Sequence, residues 1–297
     1  MKCDLCPRKC LVDRKKGEKG ICGQTENLKV ARAALHFWEE PCISGDAGSG
    51  AVFFSGCSLH CVFCQNENIA NGTVGKEISL ERLVDIFLEL QEKRANNINL
   101  VTPGHFVPQI VKALDQARKE GLTLPVVYNT SSYETVDTIK MLEGYVDIYL
   151  PDFKYMSPVL SKKYSHAPDY AEVAKAAIAE MVRQTGKAVF VNGEEDNLIL
   201  SGTIVRHLTL PGCMADSMQI LKYLHDTYGD KIYISIMNQF TPLSNLEKYP
   251  ELNRRITDEE YETLVDYAIE IGIENGFIQE GDTAEESFIP AFDCEGV

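Results

Sequence analysis

Apolar and polar residues follow one another along the chain at two spacings, and the spacing switches repeatedly. Short, mainly apolar runs at 51–54, 98–101, 125–128, 146–150 and 231–237 have the length and β-branched content of buried strands. Between them lie stretches whose apolar residues recur three and four apart. The segment 80–95 carries Leu83, Ile86, Phe87 and Leu90 on one helical face, with Ser79 in place as its N-cap. Helices are also expected over 108–120, 133–142, 170–184, 214–228 and 258–271, while 188–192 and 203–210 read as extended. Strand and helix alternating through short loops implies right-handed βαβ units and a parallel sheet. About six repeats fit, short of the eight of a closed barrel. The expected fold class is therefore α/β, a partial (β/α)6 TIM-like barrel over residues 46–297.

Residues 1–45 break this rhythm. The first 28 are rich in Cys, Lys and Gly and have little periodicity. An extended stretch follows from Leu28 to Glu40, and 41–50 reads as a Gly- and Ser-rich connection. This part is expected to form a small Cys-rich N-terminal extension. Eight of the ten cysteines fall in the first 64 residues. A chain of 297 residues, 44% hydrophobic, can bury a core without disulfides. No apolar run approaches the ~18 residues of a membrane span, and the start lacks the apolar stretch of a signal peptide. A reducing cytoplasm is the expected location, where dense cysteines point to metal or redox chemistry. Lys and Arg number 29 against 44 Asp and Glu, a net charge of −15. Such a field argues against nucleic acid and membrane surfaces as partners, and the basic run from Arg8 to Lys19 is too short to reverse it.

Two cysteine groups stand out. Cys57-x3-Cys61-x2-Cys64 follows the first strand, at the carboxyl end of the sheet where α/β active sites form. Structural zinc sites want four ligands. A four-iron cluster held by three cysteines leaves one iron open to an outside ligand. That open iron suits a cofactor with adjacent amino and carboxylate groups, as in S-adenosylmethionine. The second group, Cys3-x2-Cys6-x3-Cys10-x11-Cys22, supplies four thiolates, enough for a closed tetrahedral zinc or an auxiliary iron–sulfur cluster. Cys42 is a substitute for any one of them. Cys213 and Cys294 read as small core residues, with Cys213 the better candidate for chemistry.

The stretch from Phe53-Phe54-Ser55-Gly56-Cys57 to Cys61-Val62-Phe63-Cys64-Gln65-Asn66 resembles the signature of the radical S-adenosylmethionine superfamily. The resemblance implies that Cys57, Cys61 and Cys64 hold a 4Fe–4S cluster and that Phe63 lies beside the adenine. Leu150-Pro151-Asp152-Phe153-Lys154 is similar to the strand-end Asp-x-Lys of glycyl-radical-enzyme activases, implying that Lys154 pairs with the cofactor carboxylate and Asp152 holds an amine or small cation. Asn129 stands where an Asp would be expected beside that cation. Arg206, before Pro211-Gly212, resembles the Arg that binds the carboxylate. His207 is expected to pack on the opposite face, and Asn238 and Gln239 are weaker candidates. The family's Gly-Gly-Glu-like motif is replaced by Thr102-Pro103-Gly104-His105, which leaves backbone carbonyls to receive the methionyl amine. That motif and Trp38-Glu39-Glu40-Pro41-Cys42 resemble a branch related to pyruvate formate-lyase activating enzyme. Together these imply reductive cleavage of S-adenosylmethionine to a 5′-deoxyadenosyl radical, with a glycyl radical enzyme as protein partner and flavodoxin or ferredoxin as electron donor. Modification of a peptide or small-molecule substrate is the second reading, and a non-catalytic metal-binding regulatory protein the third.

Overall fold

The structure, a computed structural model, describes residues 2–193, 197–243, 246–279 and 290–297. Its strands are β1 (Leu28–His36), β2 (Ser49–Phe54), β3 (Lys76–Ile78), β4 (Ile98–Val101), β5 (Val126–Thr130), β6 (Ile148–Pro151), β7 (Val189–Phe190), β8 (Ile199–Leu208), β9 (Tyr233–Met237) and β10 (Gly276–Ile278). The helices are α1 (Pro41–Ser44), α2 (Glu67–Ala70), α3 (Leu80–Glu92), α4 (Val107–Lys119), α5 (Val136–Lys140), α6 (Pro158–Ser165), α7 (Tyr170–Thr185), α8 (Met214–Tyr228) and α9 (Asp258–Glu270). The strand order is β10-β9-β8-β6-β5-β4-β2-β1-β3, with β7 beside β8. From β2 to β10 every neighbouring pair on that path is parallel, and β1 and β3 close one edge antiparallel. This is the expected partial barrel, with helices over its outer face.

The period of two decides what each strand contributes. Val52, Phe54, Ile98, Leu100, Val126, Tyr128 and Tyr149 pack outward into one core with α3 and α4. Ser79 caps α3 by accepting from the Arg82 N–H (3.1 Å), and its buried face is Leu83, Val84, Ile86, Phe87 and Leu90. Each such side chain contributes roughly 1.5–3 kcal/mol by leaving water. The alternate positions point into the barrel. There Val127, Ile148, Leu150 and Ile204 form a floor together with Cys42 and Ile43 of α1. Cys42 is 3% exposed within this plug, so it is a core residue and not a spare ligand for the N-terminal cysteines.

Three differences from the expected elements have local causes. The segment 41–50 contains a helical turn, α1, that starts at Pro41. Helix α6 was not expected; Ser157 caps it and Pro158 sits at its first turn. The extended segment at 203–210 starts earlier, at Ile199, because β8 also pairs with β7.

Residues 290–297 return to the start of the sheet. Glu295 accepts from the Ala33 N–H (2.8 Å), Arg32 pairs with Asp293 and Glu295, and Phe292 meets Phe53 edge-on at 5.4 Å. Among the described residues no helix is long and apolar enough to cross a membrane.

Candidate active site

Because Asn99 of β4, Asn129 of β5, Asp152 just after β6 and Arg206 of β8 are polar, the apolar floor gives way to a charged layer. Arg206 is its centre. Its Nε donates to Asp152 Oδ1 (3.0 Å), one terminal nitrogen to Glu39 Oε2 (3.0 Å) and the other to Asn129 Oδ1 (2.6 Å). Asn129 and Asn99 donate in turn to Glu39 Oε1, at 3.1 and 3.2 Å. Lys154 Nζ donates to the second Asp152 oxygen at 2.6 Å. The side chains of Glu39, Asp152, Lys154 and Arg206 are each 16% exposed or less. Burial alone would raise the Asp152 carboxyl, but Lys154 and Arg206 outweigh it and hold it below its ordinary range. Burial pushes the neighbouring Glu40 carboxyl up against the opposing pull of Arg206.

Both Asp152 oxygens are thus occupied by protein cations, and Asn129 is turned to Arg206 and Glu39. The residues suspected of holding a small cation are brought together, but they satisfy one another. Glu39 is the member sequence reasoning missed. It lies just beyond β1, outside any strand-end motif, although an acidic pair before a proline at a strand exit was visible.

Above this layer the loop after β2 carries the three cysteines. Cys57, Cys61 and Cys64 line one cavity with Phe63, Glu39, Thr102, Asn129, Asp152, Lys154 and Arg206. The loop is held on all sides. Leu59 N–H donates to Cys57 Sγ (3.4 Å), Ser165 Oγ to Cys61 Sγ (3.0 Å) and Val62 N–H to the Tyr164 carbonyl (2.8 Å). Phe63 is clamped by Phe240, Tyr155 and Tyr164 at 5.9–6.5 Å. Burial raises the Cys61 and Cys64 thiols, the latter to about 12. Such sites ionise when a metal centre binds and replaces the proton. Tyr170 fastens the floor of the loops, accepting from Lys154 N–H and facing the carbonyls of Ser131 and Asp152 at 2.9 Å.

Thr102 lines the cavity in a left-handed conformation (φ 55°), its N–H bonded to the Asn129 carbonyl at 2.9 Å. Pro103 and Gly104 lie behind it: the Pro103 carbonyl accepts from Phe106 N–H, and Gly104 packs so tightly on the Glu134 carboxyl that a Cβ would collide. His207 turns away from the cavity as expected, buried between the Phe153 carbonyl (2.8 Å) and Ser217 Oγ (2.9 Å); burial lowers it to about 4. Gln239 reaches the cavity, with its carbonyl accepting from Gln65. Cys213 sits at the start of α8 and Cys294 in the returning tail, neither of them lining the cavity.

The N-terminal cysteines form a separate neighbourhood. Burial raises the Cys6 thiol to about 11, and Cys22, Cys10 and Cys3 lie near enough to add to that rise. Among the described residues no three His, Cys, Asp or Glu side chains stand grouped as around one metal ion. Arg8 and Arg14 of the basic run point inward, to carbonyls of the barrel.

These features define a class. The family model of the Radical SAM superfamily matches residues 51–198, and the chain carries a domain of that superfamily. It is also 28% identical over 272 residues to an uncharacterized protein of Methanocaldococcus jannaschii, covering 90% of this chain and 74% of that one. Among solved structures it is similar to Streptococcus suis SuiB bound to the precursor peptide SuiA. That likeness has 12% identity and a TM-score of 0.51, over 76% of this chain and 47% of that chain. It is similar too to HydG, a maturase of the FeFe-hydrogenase, with 15% identity and a TM-score of 0.51 over 78% and 52% of the two chains. The chain spans about half the length of these two structures, and identities this low speak to the fold. The similarities support the superfamily and do not single out the glycyl-radical-enzyme activase branch. The superfamily implies a 4Fe–4S cluster and S-adenosylmethionine. The donor set fits: three thiols leave one iron free, and a cationic and amide layer lies directly below.

Proposed function

We propose that the chain is an enzyme in which Cys57, Cys61 and Cys64 hold the cluster and the charged layer beneath receives the methionyl end of S-adenosylmethionine. The observation that carries this is the single cavity shared by three thiols, Phe63, Asn129, Lys154 and Arg206. When bound, the cluster supplies one electron that cleaves the sulfonium carbon–sulfur bond, releasing methionine and a 5′-deoxyadenosyl radical that takes a hydrogen atom from a substrate. The protein's part is orientation. Lys154 and Arg206 are the cations for the methionyl carboxylate, each exchanging one internal bond to reach it. Glu39 supplies the fixed negative charge for the ammonium that the family's Gly-Gly-Glu-like motif would otherwise bring, with the Thr102 carbonyl beside it. Phe63, locked by three aromatic neighbours, is a flat wall for the adenine. The buried floor excludes water from the radical.

The substrate reading rests on the seam of the open barrel. A second cavity adjoins the first through Trp38, Glu39 and Gln239, and it is walled by Phe37, Asn96 and Gln279. Phe37 and Trp38 are 50% and 60% exposed there. A lateral slot edged by aromatics suits a peptide or protein segment more than a small metabolite, and a glycyl radical enzyme is one such substrate. SuiB, bound to a precursor peptide, has the same fold.

Anaerobic reconstitution with iron and sulfide, followed by reductant and S-adenosylmethionine, should yield 5′-deoxyadenosine, and a Cys57→Ala control should not. Equal product from both would refute cleavage at this cluster. Glu39→Gln should raise the S-adenosylmethionine concentration for half-maximal cleavage about tenfold, the worth of one charge-assisted bond. Offering size-fractionated extract from cells grown in heavy water separates the substrate classes. Deuterium should enter 5′-deoxyadenosine from the macromolecular fraction; entry from the small-molecule fraction alone would overturn the peptide reading and leave cleavage standing.

A further inference from the structure

Residues 2–27 are ordered without a core of their own. Between residues 2 and 27 the buried side chains are Arg14, Cys22 and Gln24, while the apolar Leu11 and Ile21 are each about half exposed (51% and 52%). So short a segment cannot bury enough apolar surface to hold its shape, and small folds of this kind are stapled by disulfides or metals. No disulfide is formed: Cys3, Cys6, Cys10 and Cys22 are all free. Yet the backbone around them is tightly specified. Cys3 and the Leu11–Val12 stretch exchange bonds (Cys3 N–H to Val12, 2.9 Å; Leu11 N–H to Cys3, 3.0 Å), and Lys9 N–H closes a turn onto Cys6 at 3.1 Å. Lys9 and Leu11, on either side of Cys10, are both left-handed, at φ 43° and 56°, a conformation that persists in non-glycine residues only where the surroundings enforce it.

We propose that Cys3, Cys6, Cys10 and Cys22, which do not yet stand grouped as around one ion, are drawn together as the four ligands of a structural zinc ion at a site distinct from the cavity. Four thiolates and no open position are what structural zinc takes. The crowding around Cys10 favours one ion over a bulkier cluster: Ile21 N–H donates to its sulfur at 3.2 Å, and a Cβ on Gly20 would come within 3.0 Å of it. On binding, each thiol gives up its proton, and the ion offsets the repulsion among the thiolates it gathers.

The segment so stapled grips the cluster loop. Arg8, between two of the ligands, donates to the carbonyls of Ser58 (2.9 Å), Ser165 (3.0 Å) and His166 (2.5 Å) and lies over the Tyr133 ring. The Cys22 carbonyl packs against Gly56, where a Cβ would come within 2.5 Å of it, and His60 meets the Ile21 carbonyl at 2.8 Å. The zinc site is therefore a brace that fixes the loop carrying Cys57 and Cys61.

The test uses the full chain with Cys57, Cys61 and Cys64 all changed to Ala, so that no catalytic cluster contributes metal. Elemental analysis should find one zinc per chain with neither iron nor sulfide, and a further Cys3→Ala, Cys6→Ala pair should abolish it, while Cys294→Ala should not. In the wild-type chain, exchange with cobalt should give the intense visible bands of a tetrahedral thiolate site, which does not depend on any variant folding. Iron with sulfide in the triple variant, or no metal and no such bands, would overturn the proposal.

Discussion

Asp152 and Glu134 are both buried carboxyls, and their partners push them in opposite directions. Asp152 faces Lys154 and Arg206, and those cations keep it ionised despite burial. Removing it by Asp152→Ala leaves two buried cations facing each other, at a cost of about 3–5 kcal/mol, measurable by denaturant unfolding. Because its folded value lies below the unfolded one, its stabilisation is present above the usual carboxylate range and is lost as pH falls through the folded value. Among the described residues no cation pairs with Glu134. Tyr128 and Thr130 donate to it at 2.7 and 2.8 Å, yet burial dominates and lifts it from 4.5 to about 7. An acid raised on folding costs stability as pH climbs from the unfolded to the folded value, and the cost is constant above. Glu134→Gln does not titrate. Its stability relative to wild type should therefore improve by about 1–3 kcal/mol between pH 4.5 and 7, and unfolding midpoints at pH 5 and pH 8 that keep one constant gap would contradict this.

At the level of elements, the loop after β2 is shaped more by what docks on it than by its own sequence. Arg8→Ala removes the bonds to Ser58, Ser165 and His166 together, and the reconstituted cluster should bleach several-fold faster in air. Arg8→Lys should not restore it, since one ammonium cannot span the same carbonyls. Helix α3 offers a plainer case: Ser79→Ala should cost about 1 kcal/mol, read as a lower thermal midpoint. That cap and the apolar face of α3 were legible in the sequence, as were the parallel strands, because period and capping are local signals. Asp152, Lys154 and Arg206 were legible because they sit at strand ends in recognisable stretches. Helix α6 was not, for its eight residues contain less than two and a half turns of pattern. Glu39 escaped because its role depends on β1 being laid antiparallel against β2, a pairing between segments that no local spacing announces.

Across the whole molecule, both ends of the described chain bear on the site. Residues 2–27 press on the cluster loop, and residues 290–297 wrap β1 and place Phe292 on Phe53 and Pro290 in the cavity wall. Deleting 290–297 should lower the thermal midpoint by several degrees. It should also raise 5′-deoxyadenosine formation in the absence of substrate, since the cavity loses part of its wall; unchanged turnover in such a variant would show the tail to be structural only. The charged layer has a consequence of another kind. Glu39, Asp152, Lys154 and Arg206 come from three separate segments of the chain and balance to zero, so no one of them can be exchanged without stranding a neighbour. In descendants of this sequence, substitutions there should accumulate as matched sets: a lineage that loses Glu39 must soon lose Arg206 or recruit a new acid, and the history of the site will be written in pairs.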